Sequence, residues 1–227
     1  LSLTPVEGRH QVAILRRFEE ATRSAANALL KTLEEPPSYA VLVVLAREGD
    51  LLLPTIVSRC QHVPLRPLPV KAVARALLKR WDAPAEQAGL LAHLSSGRLG
   101  WAVRALEDEK TLKRRARRLD ELNALIDESI VERFRYAEKL AHDPIATRET
   151  LDLWISWWRD VLLVASDADA ALTNVDRQDE VRDHALRFGV DTSTAALRAL
   201  RSAAQKLGQN ANARLTLDVL MLDLPRP

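Results

Sequence analysis

The chain has one cysteine, Cys60, in 227 residues, which excludes an internal disulfide framework and a cysteine-based zinc site within these residues and fits a reducing cytosol. No apolar run approaches the length needed to cross a bilayer, and the opening residues Leu1 to His10 lack the charged and apolar regions of a signal peptide. An excess of charge of one sign is missing too: 33 Lys and Arg face 31 Asp and Glu, so a protein that coats nucleic acid or membrane by bulk charge is excluded, and any DNA contact must be local. Internal repeats and low-complexity segments are absent, which rules out a solenoid and a flexible linker. With 47% apolar and 28% charged residues, what remains is an ordinary globular composition, expected to be cytoplasmic. The chain opens on Leu1 and not on Met, so an N-terminal portion is expected to precede it, and Pro227 is expected to lie near, not at, the natural end.

The first seventy residues read as mixed α/β. Val12 to Leu15 and Ala40 to Ala46 are apolar runs without polar alternation, which predicts parallel strands covered on both faces. Between them Thr22 is a candidate N-cap, the Ala- and Leu-rich segment after it favours helix, and Pro36-Pro37 forbids helix beyond Glu35. A short helix is expected near Asp50 and an extended piece over Gln61 to Leu65. Pro67 and Pro69 mark a hinge between domains.

Beyond Val70 the strand signal disappears, and the overall fold class is mainly α. Helices are predicted over 70–81, 84–94, 99–119, 120–141, 145–166, 176–188, 192–207 and 212–222. In the fifth, Leu151, Trp154, Ile155, Trp158 and Leu162 share one apolar face, which leaves Trp157 pointing elsewhere. The tryptophans are expected in the core, with one at a contact between subunits. The run Lys110, Lys113, Arg114, Arg115, Arg117 and Arg118 would suit a DNA-facing patch, but flanking acids such as Glu107, Glu109 and Glu121 favour a solvated helix with i, i+4 pairs. The five histidines are dispersed without metal-ligand spacing.

Three segments together resemble the clamp-loader branch of the AAA+ family: Ala25 to Pro37 (AANALLKTLEEPP), Leu53 to Cys60 (LPTIVSRC), and Asn210-Ala211-Asn212 with the Leu-rich helix after it. The first two at this separation are highly specific, and the likeness runs over essentially the whole chain, more faintly between about Leu106 and Asp143. The resemblance implies the C-terminal part of an AAA+ α/β domain over 1–68, a helical lid over 69–119 and a helical collar that joins subunits into a ring over 120–227. It also implies that the P-loop and a zinc module lie before Leu1, and that no cofactor is held within this chain, ATP and magnesium being bound by neighbouring subunits.

Within that family, Arg59 of the Ser58-Arg59-Cys60 motif would be an arginine finger acting on a neighbour's ATP. Taken without its flanking motif it is one more surface arginine. A guanidinium is permanently charged and planar, and so suited to the charge that develops as a γ-phosphoryl group departs. Ser58 and Cys60 would frame it, Cys60 as a small packing residue and not a reactive thiol. Four positions look degenerate. Where the family places a magnesium-binding Asp and a water-orienting Glu, this chain has Arg17 and Phe18. A cation repels the metal and a phenyl ring accepts no proton, and Glu19, displaced along a turning chain, is not expected to replace them. The first nucleotide-sensing position is Ala46, and the second, normally an arginine, is Gly100. Arg98 lies two residues earlier, about 200° away around a helix.

The resemblance is therefore to the non-hydrolysing delta-prime type, a component of the DNA polymerase III holoenzyme, with the delta and gamma/tau subunits, the sliding clamp and primer-template DNA as partners. The alternatives are an ATP-hydrolysing subunit of the gamma/tau type and a purely structural module in which Arg59 is vestigial.

Overall fold

A computed structural model describes residues 9–47 and 49–226. Residues 1–8 of the expected α/β segment, and Pro227, lie outside the described residues. Two compact units divide between Arg66 and Pro67, at the first of the two hinge prolines.

In the first unit, strand β1 (Gln11–Leu15) pairs in parallel with β2 (Ala40–Val44), Val12 opposite Val41 and Ile14 opposite Val43. Helix α1 (Arg23–Glu34) makes the crossover that a parallel pair requires. Its N-cap is Thr22, whose Oγ1 accepts from the Ala25 N–H at 3.2 Å, and the two prolines follow its last turn. Coverage of the strands on both faces is corrected by the structure. Val12 and Ile14 are 58% and 59% exposed, and Val41 and Val43 also reach solvent. Alternate side chains of each strand point to opposite faces, and only one of those faces is even half-covered among the described residues. The helix expected near Asp50 is a 3-10 turn (Gly49–Leu51), followed by the short helix α2 (Pro54–Val57), with Pro54 at its first position and Ile56 buried.

The second unit has helices and no strand among its described residues and holds two hydrophobic clusters. α3 (Val70–Arg80), α4 (Ala85–Leu94) and α5 (Leu99–Glu107) enclose the first, built on Val73, Leu77, Leu91 and Ala102. Gly97 closes it. With φ +79, and with Leu68 O only 2.5 Å from where a Cβ would stand, this position admits no side chain, while its carbonyl accepts from the Leu68 N–H at 3.0 Å.

The second cluster lies among α6 (Glu109–Asp127), α7 (Ile130–Ala141), α8 (Pro144–Ala165), α9 (Gln178–Gly208) and α10 (Ala213–Asp223). The helices predicted over 99–119 and 120–141 divide differently. Asp108 is extended and caps α6, its Oδ1 accepting from the Lys110 N–H at 3.0 Å, and Ser129 caps α7 by accepting from the Glu132 N–H. Asp120, expected to open the collar, lies inside α6. The predicted break between 188 and 192 occurs at Gly189, where φ 64 and ψ −170 interrupt α9.

The tryptophans of α8 lie in the core as expected, Trp157 included, although it stands off the apolar face read from the sequence. Trp154, Trp157 and Trp158 are all fully buried, because the helical neighbours of α8 cover more of its circumference than one apolar stripe. Trp157 donates to His184 Nδ1 at 3.2 Å, Trp154 donates to the Arg118 carbonyl at 3.1 Å, and Trp158 packs edge-on to Phe188. Burial holds the His184 imidazole below its ordinary pKa.

Two arginines are structural. Arg133, 1% exposed, donates to the carbonyls of Ile126, Met221, Leu224 and Pro225 at 2.7 to 3.1 Å. Arg115 sits inside the run expected to be solvated. It is buried, with its guanidinium on both oxygens of Asp176 and on Asn174 Oδ1. Asn174 is held in turn by Asp160, whose Oδ2 accepts from the backbone N–H groups of Thr173 and Asn174 and from Asn174 Nδ2 at 2.7 to 2.9 Å.

Two substitutions test these roles by urea unfolding of the chain. Arg133→Ala strips four buried carbonyls of their donor and should cost about 3 kcal/mol or more. Gly97→Ala combines a left-handed backbone with a backbone collision and should cost more than about 1 kcal/mol.

Candidate functional site

Arg59 follows the last turn of α2. Pro54 starts that helix and Ile56 anchors it, so the Ser58-Arg59-Cys60 segment emerges at a fixed point of the first unit. The guanidinium is about one-third exposed and already engaged. Its Nη2 lies 2.7 Å from Glu34 Oε1, at the end of α1, and its Nη1 donates to the Thr55 carbonyl at 2.9 Å. Ser58 Oγ donates to the same Thr55 carbonyl at 3.2 Å and lies 3.4 Å from Arg59 Nη1. Ser58 thus frames the arginine through a shared acceptor, while Cys60 is a partly buried free thiol. Sequence reasoning did not find Glu34. It lies inside the motif that carries the resemblance, but its pairing with Arg59 depends on how α1 meets α2.

The structure brings three of the four positions expected to be degenerate together. Arg17 and Phe18 follow β1, and Ala46 follows β2. The Phe18 N–H donates to the Leu45 carbonyl at 3.0 Å, tying the two strand ends. These residues therefore stand at the carboxyl ends of adjacent parallel strands, the edge at which open α/β sheets bind ligands. Arg17 is left-handed (φ 53, ψ 48) and pairs with Glu20 at 3.6 Å. Neither Phe18 nor Ala46 offers a side-chain oxygen or nitrogen to a phosphate or a metal.

Glu19 was set aside from the sequence, and its carboxylate is shielded, with both oxygens lacking a hydrogen-bond partner. It lines a cavity of about 270 Å³ together with Phe18, Arg23, Ala26, Leu52 and Ile56. No cluster of His, Cys, Asp and Glu among the described residues is grouped as a metal ion needs. Gly100 belongs to the other unit, in the first turn of α5, and open space surrounds the point where its side chain would begin.

Residues 1–69 match the family model described as DNA polymerase III, delta subunit, and residues 109–225 match the model for the C-terminal part of that delta subunit. The chain is 28% identical to DNA polymerase III subunit delta' of Bacillus subtilis, over 98% of this chain and 68% of that protein. It is also 28% identical to subunit gamma/tau of Mycobacterium tuberculosis, over 98% of this chain but only 43% of that protein. Subunit delta' of Pseudomonas aeruginosa is 42% identical over 40% of this chain and 28% of its own length. The chain thus spans between about a quarter and about two-thirds of these relatives.

The Arg59–Glu34 pair is substantially exposed on both sides, and such pairs contribute at most about 1 kcal/mol. Glu34→Ala should therefore lower the unfolding free energy by less than about 1 kcal/mol in urea titration. A larger loss would identify the pair as a structural lock and not a resting contact.

Proposed function

This chain belongs to the DNA polymerase III delta-subunit family, and we propose that it works as a delta-prime-type clamp-loader subunit that supplies Arg59 to a neighbour's ATP and hydrolyses none at its own strand ends. The observation that carries this reading is the contrast within the first unit. A guanidinium stands at a fixed point, held by an exposed ion pair and one backbone carbonyl, while Arg17, Phe18 and Ala46 occupy the ends of β1 and β2. A fixed positive charge beside the strand end disfavours a divalent cation there, whereas Arg59 meets the needs of a neighbour's phosphoryl transfer.

In this reading the helical unit joins the ring, with the delta and gamma/tau subunits as partners. The complex opens the sliding clamp on primer-template DNA, ATP and magnesium stay with the neighbours, and the assembly works in the cytoplasm. Neither of the segments expected before Leu1, a P-loop and a zinc module, is needed for Arg59 to act in this way.

A subunit of the gamma/tau type is the second reading, favoured by the equal identity to the mycobacterial protein. It requires magnesium-dependent ATP turnover by this subunit alone.

The test is a complex reconstituted from this subunit, its partners and the clamp. Arg59→Ala should assemble normally by size-exclusion chromatography. It should abolish clamp-stimulated turnover at the one adjoining site, since an arginine finger contributes about 10³-fold or more at the site it serves. Unchanged turnover overturns the finger, and turnover by the isolated subunit overturns the non-hydrolysing assignment.

A further inference from the structure

A cleft of about 100 Å³ in the helical unit is lined by five arginines and two carboxylates. It forms where three elements present one face each. Arg98, Trp101 and Arg104 recur every third residue from the N-cap of α5. Arg114, Arg115 and Arg118 share a face of α6, and Glu149 and Asp152 stand one turn apart on α8.

The acids do not balance the cations. Arg118 is taken by Glu149 at 2.8 Å and Arg98 by Asp152 at 3.6 Å, while Arg115 is committed to Asp176 and Asn174. Arg104 and Arg114 remain, both exposed, both lining the cleft, and neither guanidinium in an ion pair or hydrogen bond among the described residues. Two guanidinium groups without an acidic partner thus line the cleft beside three that have one, and an anion entering there would meet both.

We propose that this cleft is a phosphate-binding site, with Arg104 and Arg114 as its ligating cations. Guanidinium forks match phosphate oxygens better than any other side chain. The volume decides the size of the ligand: pockets for whole small molecules run to about 300–1,000 Å³, so this one holds a phosphate group and leaves the rest of the ligand outside. The half-buried Trp101 on the same rim offers a face on which a base attached to that phosphate can stack. The phosphate comes either from a single-stranded nucleic-acid backbone or from free inorganic phosphate. The site belongs to the helical unit alone and does not require the finger.

The experiment uses the full 227-residue chain. Fluorescence anisotropy follows a labelled oligothymidylate, and the ³¹P line of inorganic phosphate is followed separately. Arg104→Gln/Arg114→Gln is compared with Lys110→Gln/Arg117→Gln, which removes the same charge from exposed residues that do not line the cleft. The cleft variant should weaken oligonucleotide binding at least tenfold and reduce the slope of log K against log salt by about 0.7, the value for one phosphate contact on a single strand, while the control changes less than twofold. If only the inorganic phosphate line responds, and responds through Arg104 and Arg114, the site stands and its phosphate is a free one. Equal weakening by both variants, or no response of either probe in the unsubstituted chain, overturns the site.

Discussion

The helical unit is organised around a positive charge that no carboxylate contacts. Arg133 is enclosed by α6, α7 and α10, and its two terminal nitrogens donate to four backbone carbonyls, while its buried Nε has no hydrogen-bond partner. Three of these belong to the last turns of α6 and α10 or the residue just after, where helices leave acceptors without intrahelical donors and where the helix dipole is negative. One side chain therefore completes two helix ends and ties the C-terminal segment to the α6–α7 junction. The arrangement costs desolvation, which draws the Arg133 pKa below its ordinary value. The four carbonyls offset that cost at the terminal nitrogens. Nearby, Asp127 reinforces the junction from the outside by binding Arg187 of α9 at 2.6 Å. That hydrogen bond holds the Asp127 carboxyl below its usual range.

A second buried charge performs a similar service for a loop. The segment between α8 and α9 has no regular structure over most of its length. It is fixed because Asp160 accepts from its backbone N–H groups and Arg115 donates to Asn174 and Asp176. Burial outweighs those hydrogen bonds and raises the Asp160 pKa. A raised carboxyl pKa means that the folded state takes up its proton at higher pH than the unfolded chain does, so Asp160 ionisation subtracts from stability as pH rises through that value. The hydrogen bonds to the loop are what justify keeping the residue there.

Much of the local structure was legible because local chemistry decides it. Thr22 caps α1, Pro36-Pro37 follow its end, and the break expected between 188 and 192 falls at Gly189, each by its own backbone preference. What escaped was decided by tertiary packing or by competition. Asp108 stands in a charged run with no glycine or proline, so its role as a cap could not be told from a place inside a helix. Trp157 stands off the apolar stripe of α8, and what covers it is decided by the neighbours of that helix. The arginine run on α6 reads as uniformly solvated, although Arg115 is buried and Arg118 nearly so, because their partners lie in α8 and in the segment leading into α9. The same limit applies to the candidate site: the Ser58-Arg59-Cys60 motif is visible as a string, but the contact with Glu34 is not.

In the proposed function, that contact bears on how Arg59 would serve a neighbour. A finger must be positioned before its phosphate arrives and must be released when it does, which demands a partner that orients without binding tightly. Glu34 and the Thr55 carbonyl meet both requirements. They fix the guanidinium at two points, yet the ion pair is exposed and worth at most about 1 kcal/mol. A triphosphate offers more negative charge and bidentate geometry in a drier setting, so it outcompetes one solvated carboxylate. Arg133 shows the opposite regime, in which the acceptors are buried and the side chain cannot leave. Shared chemistry therefore gives a fixed strut in one unit and a transferable charge in the other, and solvent access to the acceptor determines which.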